Sequence, residues 1–536
     1  MPISIRPVRL AVLVAGVLAL QSGLVHAEAA PSAGTPEGVL IQQVRIEGNT
    51  LLPDAVLEPL WRELPGSRRS LADLRRVSAE IQAAYRAAGY AGVLAFVPEQ
   101  ALDSGELVIR VLEGQLAEVR VAGQRHFELA NLRAGLPNLR EGETPRVRAI
   151  DRDIQMSNEN PAKALKVTLT AGAQPGAIDA EIEVQDRDPV QYWLGLDNSG
   201  NPATGRGRVT LGVQHANLSG RDDVLGVQYQ TSTEHPDKVS VFGLGYRLPL
   251  YAQATALDLF YASSDISGVS TQTPAGTLHF AGAGTVLGWR ATRNLERLGD
   301  YDHRLAFGID ARDYDNTCAH ETLGPAACAS AGRDYSVLPL SLSYTGQRQG
   351  PQTAWGVNAT LSANVGGSSR AVLEAVRPGV QPRYAITRLA AFVENPIARE
   401  YALQARFDAQ LTPDALVPGE QFGLGGTSSV RGYAEREIAG DQGHALRLDL
   451  LGPTWSQDGF NLRPLLFVDH GRVSNRKGLL CDNRDSACAL TGAGAGLRLG
   501  VGKTTTASLD VARAFDDAIL TQAGHTRWHF AFHFAF

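Results

Sequence analysis

The chain is poor in cysteine, lacks a polybasic tract and has no long apolar run beyond its N-terminus. Each absence excludes a class of protein. The four cysteines fall into two close pairs, Cys318/Cys328 and Cys481/Cys488. Neither pair has the CxxC spacing with histidine support that a zinc site needs, so two local disulfides formed in an oxidising compartment are the better reading. The twelve histidines show no metal-ligand spacing, and there is no GxSxG or HExxH. The run Gly492-Ala493-Gly494-Ala495-Gly496 does not sit at the strand-to-helix turn of a nucleotide loop; lumen-facing glycines on a barrel strand explain it better. No enzyme activity, cofactor or metal is therefore expected. With net charge −6 and no basic cluster, nucleic acid is a poor partner. An apolar fraction of 44% against 20% charged residues excludes a disordered chain.

The one strong apolar run is N-terminal. Arg6 and Arg9 precede Leu10–Leu20, and Val25-His26-Ala27 places small residues where a signal peptidase reads them. Residues 1–27 read as a signal peptide cleaved after Ala27, and the next residue is not the cysteine of a lipoprotein. Later runs fall short of the ~20 apolar residues of a membrane helix. The mature chain is thus periplasmic, secreted or a membrane barrel.

After a short flexible leader, residues 28–38, the pattern predicts a strand over Val39–Glu47, helices over Pro53–Leu64 and Leu71–Ala88, and strands near Gly92–Val97 and Glu106–Leu112. Leu71, Leu74, Val77, Ile81 and Tyr85 recur at helical spacing, Ser70 with Asp73 resembles a capping box, and Gly89 stops the helix. The order then repeats: a strand at Ala117–Ala122, helical stretches near Leu129–Ala134 and Val147–Ser157, a break at Asn158-Glu159-Asn160-Pro161, and strands near Leu165–Thr170 and Ala177–Gln185. Strand-helix-helix-strand-strand, twice, resembles two polypeptide-transport-associated (POTRA) domains, at 39–114 and 115–188. Such α+β modules present strand edges that can accept an extended peptide.

From residue 189 to 536 the period changes to two. Leu305, Phe307 and Ile309 oppose Arg304, Gly308, Asp310 and Arg312; Leu446, Leu448 and Leu450 alternate with Arg447 and Asp449. We count sixteen candidate strands between Val190 and Phe536, an even number that lets every strand pair. Even-to-odd turns are mostly short (217–220, 348–351, 501–503), whereas odd-to-even loops are mostly longer (313–334, 366–379, 412–443, 471–490). That alternation is the pattern of an outer-membrane β-barrel with outer loops, and both cysteine pairs fall in those loops. The C-terminal segment puts Trp528, Phe530, Phe532, Phe534 and Phe536 on one face, a hazard in water but stable against lipid. The terminal Phe536 resembles the assembly signal of outer-membrane proteins.

Two motifs make the resemblance specific. Val430-Arg431-Gly432-Tyr433 lies in the longest loop, 412–443, and Phe467-Val468-Asp469-His470-Gly471 ends the thirteenth candidate strand. VRGY in the sixth outer loop and FxDxG on the thirteenth strand resemble the paired signatures of the two-partner secretion transporters (TpsB family; ShlB/FhaC/HecB-like haemolysin secretion/activation proteins). The resemblance covers nearly the whole mature chain. It implies a sixth loop folded back into the barrel, Arg431 paired with Asp469, Gly432 permitting a close turn and Tyr433 packed beside the pair. It implies export of an unfolded exoprotein, a TpsA-type adhesin or haemolysin, across the bacterial outer membrane, with the POTRA domains in the periplasm. Biogenesis would involve the barrel-assembly machinery and outer-membrane lipid. The alternative is an insertase for other barrels, whose known forms usually carry more POTRA modules. Asn158–Pro161 also resembles a family segment, although a helix stop explains it equally well. Family members often carry an N-terminal plug helix, whereas residues 28–38 are too short and too rich in Pro and Gly to form one.

Overall fold

The computed structural model describes residues 38–101, 103–202, 204–265, 269–273, 276–280, 283–315, 333–350, 353–481 and 485–536, with backbone alone over 269–280. It divides into two units, residues 1–187 and 188–536.

The first unit holds two modules of one design. In the first, Gln43–Glu47 lies parallel to Glu106–Glu113, which pairs antiparallel with Val93–Phe96. In the second, Gln115–Ala122 lies parallel to Ala177–Asp186, which pairs antiparallel with Lys163–Ala171. Helices Asp54–Trp61 and Leu71–Ala87 cover the first sheet. Leu74, Ile81 and Tyr85 pack with Leu57, Leu107 and Ile109 in one apolar core. Ser70 and Asp73 form the reciprocal capping box at the head of the longer helix. The second module carries helices Leu129–Ala134 and Val147–Ser157. The expected strand over Val39–Glu47 is in fact two. Val39–Ile41 turns aside to pair with Ser67–Arg69, a strand the pattern did not reveal. The turn is fixed where the Gln42 and Gln43 amides both donate to the Gly105 carbonyl. The first helix is also shorter than expected.

A shared turn shows the repeat better than sequence identity does. Each first strand ends in a glycine of positive φ, Gly48 at 84° and Gly123 at 93°. A Cβ there would collide with the carbonyl of Val111 or Val184. Two residues beyond each of those carbonyls stands a carboxylate that collects the amides of the following loop. Glu113 accepts from Thr50 N and Leu51 N at 2.8 and 3.0 Å and also bonds the Thr50 and Tyr85 hydroxyls. Asp186 accepts from the amides of Arg125, His126 and Phe127 at 2.8–3.0 Å. Asn158, predicted as a helix stop, caps its helix and exchanges two side-chain bonds with the Leu165 backbone.

The second unit is a closed antiparallel barrel of sixteen strands, from Val190–Asp197 to Thr526–Ala535. The twelfth, Gln442–Leu451, is interrupted at Gly452-Pro453-Thr454 and resumes as Trp455–Gln457 against the same neighbour, because proline cannot donate to the ladder. Closure is by the last strand on the first: Ala531–Ala535 pair with Trp193–Asp197, and Tyr192 and Phe536 exchange both backbone bonds at 2.9 Å. The outward face is apolar, as the alternation predicts. Leu305, Phe307, Leu403, Leu466, Val468, Leu497, Trp528 and Phe530 are all exposed on it, while Asp310, Asp469, Asp510 and His529, on these and adjoining strands, are buried inside. Such a surface is stable only against hydrocarbon. Connections on one side are short (350–353, 397–401, 458–459, 502–504) and on the other long (316–334, 368–384, 412–441, 475–486, 515–525).

Candidate functional site

The long connection between the eleventh strand, Ala402–Leu411, and the twelfth does not stay outside the barrel wall. It forms a hairpin, Phe422–Leu424 paired with Ile438–Gly440, whose tip carries Val430, Arg431, Gly432 and Tyr433. All four tip residues are buried. Val430 and Tyr433 pack with Leu424, Ile438, Ala445, Val473 and Leu490 in an apolar cluster, so the loop is seated by burial as well as by charge.

Arg431 is the hub. Its Nε donates to Asp469 Oδ2 at 2.7 Å and its Nη2 to Asp469 Oδ1 at 2.8 Å, the bidentate geometry a guanidinium fork favours. Its own amide adds a third bond to Asp469 at 3.0 Å. Asp469 stands on the thirteenth strand, Phe460–Ser474, and is wholly buried. Two further carboxylates close the ring: Asp449 of the twelfth strand at 2.5 Å and Asp510 of the fifteenth strand, Thr505–Ala514, at 3.7 Å. Asp510 is shared with Arg498 of the fourteenth strand at 2.7 and 3.0 Å. The guanidinium also lies 3.5 Å from the ring centroid of Phe467, so the first residue of FxDxG is a cation–π platform.

The rest of the VRGY segment is tied to different strands. Gly432 has φ 102° and donates its amide to His529 Nε2 at 2.9 Å. Tyr433 bonds the Thr491 carbonyl at 2.9 Å and both backbone groups of Asp516 through its hydroxyl. Glu437 receives the amides of Ala434, Leu520 and Thr521, joining the hairpin to the last long connection. At the base of the loop, Glu420 meets Arg312 at 2.6 Å and Arg388 at 3.1 Å, and Asp441 meets Arg377 at 2.6 Å.

Asp449, Asp510, Arg498, His529, Glu420 and Glu437 were not singled out from the sequence. For Asp449 and Asp510 the available signal was an acid on the polar face of an alternating strand. The glycine run of the fourteenth strand, Ala487–Val501, has a physical reason here. A Cβ on Gly492 would strike the Arg431 carbonyl, one on Gly494 the Val511 carbonyl and then the Phe467 ring, and one on Gly496 the Asp510 carboxylate. Gly492 lets the loop tip lie against the fourteenth strand, and Gly494 and Gly496 leave room for side chains and backbone of the neighbouring strands. Gly471, expected at the end of the thirteenth strand, lies three residues inside it, and its missing side chain leaves room for Leu424. Cys481 and Cys488 are disulfide-bonded, with Cα atoms 6.2 Å apart. Cys488 belongs to the start of the fourteenth strand and not to the loop. Cys318 and Cys328 lie outside the described residues. Phe534 stacks on Phe536, which stacks on Tyr192 across the closing seam. Among the described residues no cluster of His, Cys, Asp and Glu is placed to hold a metal ion.

A closed sixteen-strand barrel with an apolar exterior, preceded by two POTRA-like modules and holding a long loop inside by a buried arginine, is an outer-membrane transporter architecture. The family model for the haemolysin secretion/activation proteins ShlB/FhaC/HecB matches residues 176–499, and the ShlB-type POTRA model matches residues 39–114. The chain belongs to this family of two-partner secretion transporters, resident in the outer membrane with periplasmic POTRA domains. Similar proteins include the heme/hemopexin transporter protein HuxB of Haemophilus influenzae strain 86-028NP, 23% identical over 88% of this chain and 82% of that one. The outer membrane transporter CdiB of Escherichia coli O6:K15:H31 is 27% identical over 87% and 77%. The hemolysin transporter protein ShlB of Serratia marcescens is 24% identical over 84% and 79%. Among solved structures, CdiB from Escherichia coli matches with TM-score 0.78 at 22% identity, over 96% of this chain and 93% of that one, a likeness of fold.

Proposed function

We propose that the chain, after removal of residues 1–27, takes up an unfolded exoprotein through its two POTRA modules and passes it outward through the barrel, with the loop of residues 412–441 as the element that must yield. The observation that carries this reading is the Arg431 hub. A bare pore has no use for a guanidinium shared by three carboxylates on three strands, whereas a loop that must be held and then released does. The cargo class is a large secreted adhesin or haemolysin, by analogy with the hemolysin and hemopexin transporters among its relatives. Insertion of the barrel itself would rely on the assembly machinery reading the aromatic C-terminal strand. The test is deletion of residues 39–186. The expected result is a heat-modifiable barrel in the outer membrane that no longer secretes its partner; continued export would remove the modules from the recognition role.

A further inference from the structure

The lipid-facing wall carries a cationic patch that the transport function does not use. Strands twelve to sixteen hold three acids, Asp449, Asp469 and Asp510, and all three turn inward to the Arg431 hub. Four basic side chains on the same strands turn outward and are exposed: His444, His470, Arg472 and Arg513. All four lie toward the long-connection ends of their strands. His444 stands directly opposite Arg472, and its ring is 6.3 Å from that of His470. Arg513 stands opposite Ala493, on the fifteenth strand. Among the described residues, no acidic side chain lies within ion-pair distance of Arg472 or Arg513.

The surface between the two arginines is shaped to admit a ligand. The intervening fourteenth strand presents outward only Ala489, Thr491 and Ala493 at this level, and Thr491 already bonds His470 at 3.0 Å. Arg472 is level with Ala489 and Arg513 with Ala493, so the two arginines stand two strands apart and four residues offset along the wall, roughly 16 Å between Cα atoms, with a shallow diagonal saddle floored by small side chains between them. The wall around it is apolar: Phe407 and Leu446 are exposed level with His470, and Val468 is exposed level with Ala493 and Arg513. A cation on the membrane face of a barrel is unfavourable unless it lies near the interface and meets a counter-charge. Long connections mark this rim as the outer one.

We propose that this saddle binds the headgroup of a bisphosphorylated glycolipid of the lipid A type in the outer leaflet, with Arg472 taking one phosphate beside the N–H groups of His444 and His470, Arg513 taking the other, and the acyl chains lying on Phe407, Leu446 and Val468. Arginine suits the task because its planar fork matches phosphate oxygens in pairs. The site lies on the outside of the wall, so it anchors and orients the barrel and does not touch cargo.

The test uses the full chain, delipidated in detergent and titrated with bisphosphorylated lipid A, with its phosphate-free counterpart and with phosphatidylglycerol, the complexes being read by native mass spectrometry. Bisphosphorylated lipid A should be retained at least about tenfold better than either of the other two. R472Q/R513Q should abolish that preference while the barrel stays heat-modifiable. Equal retention of phosphate-free lipid A, or unchanged preference in the double variant, would overturn phosphate recognition at this site. Equal retention of phosphatidylglycerol would overturn the assignment to an outer-leaflet glycolipid. The single variants R472Q and R513Q, each leaving one guanidinium, keep the test decisive if the double variant assembles poorly.

Discussion

Replacing Arg431 by alanine removes the hub and leaves Asp449, Asp469 and Asp510 facing one another in a buried ring. Breaking one side of a buried ion pair costs about 3–5 kcal/mol, because the remaining charge is left uncompensated. Here three charges remain; among the described residues Arg498 bonds Asp510, and Arg447, across the ladder from Asp469, acts on it through space. The barrel should survive, since its strand ladders are independent of the loop. The loop base should also hold, through Glu420 with Arg312 and Arg388 and through Asp441 with Arg377. The loss therefore falls on the tip. At 1.4 kcal/mol per tenfold, amides of residues 425–437 should exchange with solvent about two to three orders of magnitude faster, while those of the strands are unchanged. Asp469→Ala should be milder, because Arg431 keeps Asp449 and Asp510 as partners. Both single variants should secrete poorly from a folded, heat-modifiable barrel. In the double variant the buried carboxylate and its partner vanish together, so the combined effect on exchange and on secretion should fall well short of the sum. If the two effects instead add within about 0.5 kcal/mol, the residues are not coupled and the reasoning is refuted.

Gly492→Ala changes no charge but places a methyl against the Arg431 carbonyl; it should speed exchange at the tip as Arg431→Ala does, and an unperturbed tip would show that the close approach at Gly492 does not seat the loop. Peptide mapping without reduction should recover Cys481 linked to Cys488, and also the pair Cys318–Cys328, with free thiols in protein from an oxidising compartment counting against the second link. Burial works to raise the Glu113 and Asp186 carboxyls, but the hydrogen bonds they accept outweigh it and hold both below their ordinary values. Their stabilisation is therefore present above the ordinary carboxylate range and is lost as pH falls through the lowered values. A fragment of residues 38–187, in which Trp61 is the only tryptophan, should show its fluorescence-monitored melting temperature fall with pH below about 4, and Glu113→Gln should weaken that dependence; an identical acid response in the variant would exclude Glu113 as a contributor.

Period and punctuation determined much of this protein without a structure. Alternation of Leu305, Phe307 and Ile309 with Asp310 and Arg312 fixes which face meets lipid, because side chains of a strand alternate whatever the strand pairs with. Sixteen strands and alternating connection lengths follow from the same local signal. The capping box at Ser70 and the helix ends at Ala134 and Ser157 were legible because their physics is contained within a few residues. VRGY and FxDxG named Arg431 and Asp469 by resemblance. Tertiary structure decided what local pattern does not carry. Nothing within a few residues of Asp510 or Asp449 marks either as a partner of Arg431, since each approaches from its own strand. The missing side chain of Gly492 has a meaning only once the hairpin tip brings the Arg431 carbonyl onto it, and those of Gly494 and Gly496 only once the neighbouring strands bring Val511, Phe467 and Asp510 beside them. Val39–Ile41 separates from Gln43–Glu47 because Ser67–Arg69, more than twenty residues away, offers a competing ladder. The twin carboxylates Glu113 and Asp186 became visible as one device only when each stood at the end of its sheet, receiving amides from about sixty residues earlier in the chain.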